Sequence, residues 1–369
     1  MFSNRAQLSM HRCRVLPAPC LLFALCRDAS IHYMKMRCDC DFVTEGRANL
    51  PAHYDNCSSI WGELHPGTKC PKNADGTIRL QNEHLLKLEG DILYHLGLDT
   101  INYDLPAMFG DVKFVCMGGT KYRMRDFAEY MSEELDLPRG GEKLVNLTKH
   151  SQRYAMYKVG PVLSVSHGIG IPSMTTLLQE VIKLMYYAKA KDPIFFRIGT
   201  CGGLGIPAGS VVVSSFGLSG DLEKSYNVPV LGKMRKLPAI LDTRVCREVY
   251  AGASDQDGFG TYIGGTMAAD DFYRGQARLD GPLCGYTEAD KMEFLRKLTS
   301  LGVRNIEMEA TAFSAFTREA GIRAGIVCVT FLNRLEGDQV SSTKATLKEW
   351  QKRPMVVVGK YIKQYLNKS

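Results

Sequence analysis

The sequence predicts an α/β fold, a central sheet covered by helices. Three observations carry that reading. Short apolar runs recur along the chain from Asp111, most of them stop at glycine, and segments of helical periodicity separate them. The first run is Val112–Met117, ending in Gly118-Gly119. The second is Val162–Ser166, ending in His167-Gly168-Ile169-Gly170. A helix follows from Pro172 to about Lys189, with Leu177, Leu178, Val181, Ile182 and Met185 at helical spacing and the proline in the first turn. Ile194–Ile198 and Val211–Phe216 are further strands. Thr287-Glu288-Ala289-Asp290 has the form of a helix start with acids in its first turn, and it leads into Phe294, Leu295 and Leu298. Glu309–Ala320 is predicted helical, Ala324–Phe331 is a strand, and a C-terminal helix falls within Ala345–Leu366. Folds of this class take ligands at the carboxyl ends of their strands, so the glycine-ended strands point to one crevice.

The chain has 369 residues, enough for one large domain or two ordinary ones. Its charge is +7, but Arg5, Arg12, Arg14 and Arg27 all precede the first acid, Asp28, which leaves +3 for the rest. That balance argues against nucleic acid or a membrane as partner of the body. Seven of the 12 cysteines lie in the first 70 residues, and the others are scattered singly, as in a reduced, cytoplasmic protein. Cys38-Asp39-Cys40 lacks the spacing of a zinc site, and no metal is expected. Val15–Leu25, apolar after a basic start, is too short to span a bilayer and resembles a targeting segment; Met34 and Met36 are alternative starts. Asn49–Gly76 has linker composition. Residues 1–80 are therefore read as a head and linker, disordered or partly absent, and residues 81–369 as the domain.

Chemistry concentrates at the strand ends. Gly118-Gly119-Thr120-Lys121-Tyr122-Arg123 offers backbone amides and an arginine, and Arg197-Ile198-Gly199-Thr200-Cys201-Gly202 offers a second such set. Glycines admit a close approach to backbone N–H groups, and guanidinium adds a forked donor, so both suit an oxyanion. Taken singly, each also fits a tight turn with a solvated arginine. Arg153 is a third basic candidate, or a surface charge. Gln276-Ala277-Arg278 places an amide and a guanidinium where they match the imide edge of uracil, with Phe272 near enough to stack; an ordinary polar loop is the plain alternative. Glu307-Met308-Glu309 reads as a helix start whose carboxylate either accepts from a ribose cis-diol or faces the helix dipole. Leu335–Ser342 reads as a lid or a plain loop.

Together and in this order, these pieces resemble the nucleoside phosphorylase family, and within it the uridine phosphorylases of animals. Phe109–Met117, Tyr154–Gly168, Asn305–Glu309 and Asn333–Gln339 carry the resemblance, which runs from about Asp91 to the C-terminus, roughly three quarters of the chain. It implies a single-domain nucleoside-phosphorylase-type sandwich, a twisted mixed sheet flanked by helices, assembled as a homodimer. It implies phosphate held by Gly119, Arg123, Arg197, Ile198, Gly199 and Thr200, with Arg153 reaching in from the neighbouring subunit. It assigns uracil to Gln276, Ala277, Arg278 and Phe272, and the sugar to Met308 and Glu309. His95 of the neighbour would reach the ribose end, and Cys201-Gly202 would line the nucleoside site. The implied reaction is phosphorolysis of uridine to uracil and ribose 1-phosphate, in pyrimidine salvage, with inorganic phosphate as co-substrate and no cofactor or metal. Arg197, Arg123 and Glu309 would carry it, by positioning and electrostatics. Cys201 replaces the family's usual serine, Arg274 an acid, and Lys121-Tyr122 smaller residues; Lys149–Gln152 also departs from the family pattern. These departures motivate the alternative of a catalytically impaired nucleoside-binding homologue.

Overall fold

A computed structural model describes residues 72–80, 82–137, 143–151, 153–253 and 257–368. A short ribbon of β1 (Ile92–Leu93) and β2 (Leu98–Asp99) precedes helix α1 (Leu105–Phe109). Then come β3 (Phe114–Gly118), α2 (Lys121–Glu134), β4 (Met156–Val159), β5 (Val162–Ser166), α3 (Ile171–Tyr187), β6 (Ile194–Gly203) and β7 (Val211–Ser219). A hairpin of β8 (Ser225–Val230) and β9 (Lys233–Pro238) stands apart from the main sheet. The chain continues with α4 (Thr243–Gly252), β10 (Thr261–Ala268), α5 (Glu288–Ser300), β11 (Val303–Glu307), α6 (Ala310–Glu319) and β12 (Arg323–Asn333). It ends in α7 (Lys344–Trp350) and α8 (Arg353–Leu366).

The α/β reading holds. Eight strands form one mixed sheet in the order β11-β10-β7-β12-β6-β3-β5-β4. The sheet also curls on itself. Asn305 and Ile306 of β11 pair antiparallel with Gly203 and Gly202 of β6, which closes β6, β12, β7, β10 and β11 into a ring. Strand β6 is the hinge of this arrangement, because it lies between β3 and β12 and is buried along almost its whole length. Gly199 is required in it: a Cβ there would lie 2.7 Å from Arg197 Nη1 and 2.9 Å from Cys328 Sγ, so only glycine lets the guanidinium fold back beside the strand.

Local chemistry explains the helices. In α3, Met174, Leu177, Leu178, Val181, Leu184 and Met185 are buried on one face. In α5, Thr287 and Asp290 form a reciprocal capping box, as the sequence predicts. The expected single C-terminal helix is two, because Pro354 in the first turn of α8 has no N–H to continue α7. The expected helix at Glu307 also starts later. Glu307 ends β11, and its carboxylate accepts from the N–H groups of Glu309 (3.0 Å) and Ala310 (2.8 Å) at the mouth of α6.

The head reading fails for residues 72–80. Lys72 pairs with Asp192 at 2.8 Å, Thr77 bridges Lys191, and Ile78 is buried in the core. That core is one large cluster between the sheet and α2, α3 and α8, with a smaller one under α5. The targeting-segment and Cys38–Cys40 readings lie outside the described residues. Among the described residues, no helix is long and apolar enough to cross a membrane, and no group of His, Cys, Asp and Glu is placed to hold a metal.

Candidate active site

A cavity of about 260 Å³ opens at the carboxyl ends of β3, β5 and β6, where β11 gives way to α6. Two polar clusters line it.

The first gathers around Arg197. This side chain points from β6 into the protein and is buried. Its Nη2 pairs with Glu307 at 2.8 Å and with Glu309, while Nη1 donates to Cys328 Sγ at 3.2 Å. Burial pulls Arg197 down, but the two carboxylates outweigh it and hold the guanidinium firmly charged. Burial raises the Glu307 carboxyl, against the pull of Arg197, to about 8. Burial also works to raise Glu309, but Arg197, His167 and the Gly170 N–H, which donates to it at 2.6 Å, hold it below the usual carboxylate range. Arg123 enters from the first turn of α2, whose N-terminus Thr120 caps. It donates to Gln351 Oε1 from Nε (3.3 Å) and Nη2 (3.1 Å), and burial beside Arg197 lowers it to about 10.

The second cluster holds Gln276, Arg278 and Arg334. Ala277 adopts the left-handed conformation (φ 54°), which turns the chain between Gln276 and Arg278. Arg278 grips Asp280 with Nε (2.8 Å) and Nη2 (2.7 Å), donates to the Asp338 carbonyl, and lies 4.6 Å from the centre of the Phe272 ring. Arg334 donates through Nη2 to the Gln276 carbonyl (2.8 Å) and through Nε to Asp338 (3.0 Å). Asp338 also takes Lys291 (2.9 Å) and the Leu279 N–H (2.9 Å), so the 335–342 segment is tied down at its middle.

Arg197, Arg334 and His167 line the cavity, and each carries buried polar atoms with no partner: Arg197 Nε, Arg334 Nη1, and both ring nitrogens of His167. Buried donors are almost always satisfied in proteins, so a group of unsatisfied ones around a hollow marks a polar ligand site.

The comparisons agree with this geometry. The profile of the phosphorylase superfamily matches residues 113–363. Uridine phosphorylase 1 of Mus musculus is 44% identical over 295 residues, 80% of this chain and 95% of the relative. A uridine and thymidine phosphorylase of Caenorhabditis elegans is 44% identical over 79% of this chain and 97% of its own length. A uridine phosphorylase structure from the oomycete Phytophthora capsici superposes with a TM-score of 0.77 at 41% identity, covering 80% of this chain and all of that one (100%). The chain belongs to the phosphorylase superfamily.

Within this phosphorylase, most residues singled out in the sequence meet in the cavity: Gly119, Arg123, Arg197, Gly199, Thr200, Cys201, Gly202, Phe272, Gln276, Arg278, Met308 and Glu309. Four do not line it. Ile198 is buried in the core, and Ala277 acts through its backbone turn. Arg153 is exposed, and His95 is half-buried, its Nδ1 held 2.7 Å from Glu180. Three departures from the family pattern lose their force: Lys121, Tyr122 and Arg274 are exposed and do not line the cavity. Cys201 is almost fully buried, donates to the Val329 carbonyl at 3.4 Å, and burial pushes its thiol well up, away from reactive thiolate. Sequence reasoning missed Arg334, the roles of Glu307 and Asp338, and His167. Arg334 lies inside Asn333–Gln339, a segment the sequence did single out, but nothing local shows that it turns inward.

Proposed function

We propose that this phosphorylase catalyses the reversible phosphorolysis of uridine to uracil and ribose 1-phosphate. The observation that carries the reading is the meeting, in one cavity, of two buried cationic clusters, each held by its own carboxylates. Gly119, Arg123, Arg197 and Thr200 form a seat for phosphate. Gln276, Arg278 and Arg334 present donors and acceptors of the kind the uracil edge requires, and Phe272 offers a ring face. Glu309 accepts from ribose hydroxyls.

The chemistry follows from charge. As the C1′–N1 bond stretches, negative charge grows on the base, where the Arg278 and Arg334 guanidiniums are already fixed by Asp280 and Asp338 and the Gln276 amide lies in the same cavity wall. Positive charge grows on the sugar, next to phosphate, which then attacks C1′. Phosphate entry requires Arg197 to share its donors between the anion and Glu309. The groups sit in fixed positions, so the rate comes from preorganisation and alignment. Inorganic phosphate is the co-substrate, and the steps described use no cofactor.

The proposed unit is a homodimer with shared sites. Arg153 and His95, outside the cavity of their own chain, complete the site of the partner. Glu180 supports this assignment for His95, since it accepts from the His95 and Leu96 N–H groups as well as from Nδ1 and so presents Nε2 outward. The impaired-homologue alternative is not favoured: Lys121, Tyr122 and Arg274 lie outside the cavity, and the Cys201 thiol is buried and donates to the Val329 carbonyl.

The test is uracil release from uridine by purified protein with and without inorganic phosphate. Release that depends on phosphate is expected; equal release without it would make the protein a hydrolase and refute the reading.

A further inference from the structure

His167 has no part in the mechanism above, yet it lines the cavity and its ring is unpartnered. The residue follows β5 and is 1 % exposed, and neither ring nitrogen has a hydrogen-bond partner. Its backbone cannot drift: its N–H donates to the Gly118 carbonyl (2.7 Å), and its carbonyl accepts from Ser173 Oγ (2.7 Å). This fixes the residue beside the end of β3. A Cβ on Gly119 would lie 3.2 Å from the Gly168 carbonyl and 3.7 Å from Arg123 Nη1, so the 167–168 corner faces the glycine-rich loop and its arginine. The charged groups close enough to act on the ring are Glu309 at the start of α6, Arg197 from β6 and Arg123 from α2.

We propose that His167 is a further phosphate ligand, its imidazole donating an N–H to an oxygen of inorganic phosphate, or of ribose 1-phosphate in the reverse direction. The inference rests on the phosphorolysis reading. A buried polar ring without partners is costly to maintain, and a bound anion satisfies it. Burial, with help from the two guanidiniums, lowers the ring to about 4, so it is uncharged at neutral pH and carries one donor and one acceptor. A neutral donor suits this place. It adds a directed hydrogen bond to the anion without adding a third positive charge against Arg123 and Arg197, and without neutralising Glu309, which the sugar needs.

The experiment is calorimetric titration of wild type, His167→Phe and His167→Gln with inorganic phosphate and, separately, with uracil, all three checked by circular dichroism. A lost hydrogen bond to an anion corresponds to roughly a 10- to 100-fold weakening, so H167F is expected to lose about that much phosphate affinity and to keep uracil affinity within about twofold. H167Q, which retains an N–H donor, is expected to recover much of the loss. Unchanged phosphate affinity in H167F, or equal loss for both ligands, overturns the proposal; the second result would mean that the ring only packs. Should H167F not fold, nitrogen-15 spectra of ring-labelled wild type decide. One ring nitrogen should shift on adding phosphate and not on adding uracil, and a silent ring overturns the proposal. Wild-type protein that releases uracil without phosphate would fell the phosphorolysis reading and this inference together, whereas a wild type that binds phosphate while H167F matches it fells only this inference.

Discussion

Replacing Arg197 by methionine tests the charge arrangement at the centre of the cavity. The side chains of Arg197, Glu307 and Glu309 are 4 %, 2 % and 5 % exposed, so the substitution leaves the Glu309 carboxylate and the partly ionised Glu307 in a dry setting with no cation between them. Backbone N–H groups of Gly170, Glu309 and Ala310 remain as their partners. Removing one member of a buried ion pair costs about 3–5 kcal/mol. That is a large share of a native stability of about 5–15 kcal/mol. The carboxylates relieve the repulsion by taking up a proton, so Glu309, held low in the wild type, rises in R197M. A folded state that binds more protons than the unfolded one loses stability as pH rises. The deficit of R197M against wild type, measured by urea denaturation, is therefore expected to be about 3–5 kcal/mol at pH 7.5. It should shrink by roughly 1–2 kcal/mol at pH 5.5. A deficit equal at both pH values would refute the claim that Arg197 balances two ionised or partly ionised buried acids. A deficit under about 1 kcal/mol would show that the pair is solvated, as surface pairs are.

Other expectations follow from the same contacts. Asp338→Asn removes the charge that holds Arg334 and Lys291 and is expected to raise the KM for uridine about tenfold with the KM for phosphate nearly unchanged, since charge-assisted bonds are the strong ones; equal effects on both substrates would argue against separate clusters. Uridine should be preferred to 2′-deoxyuridine, because loss of the hydroxyl leaves buried Glu309 underpaired at about 1–3 kcal/mol, and equal kcat/KM values would refute the sugar assignment. Thr287→Ala breaks the capping box of α5 and should lower stability by about 1 kcal/mol in thermal or urea unfolding without changing turnover. A change in turnover would show that α5 does more than support the base end.

What the sequence determined by itself was whatever local pattern encodes. Apolar runs ending at Gly118 and Ser166, the periodic face of α3, and Thr287 with Asp290 at the start of α5 were legible because side-chain periodicity and caps act within a few residues. The site residues that stood next to glycines, or in Gln276-Ala277-Arg278, were legible for the same reason. The signal for α2 was also present, in Met124, Phe127, Ala128 and Met131 at helical spacing, but it lay behind the glycine-rich loop that drew the reading. Tertiary structure decided the rest. Glu307 looked like the start of a helix and became the last residue of β11, because pairing with β10 and β6 keeps the chain extended that far. Arg334 turns inward because β12 lies against β6 and Asp338 holds its guanidinium. His167 is buried within the electrostatic reach of Arg123 and Arg197 only because β3, β5 and β6 are neighbours in the sheet. Which charges share a cavity depends on pairings between segments dozens to more than a hundred residues apart, and no local spacing records them.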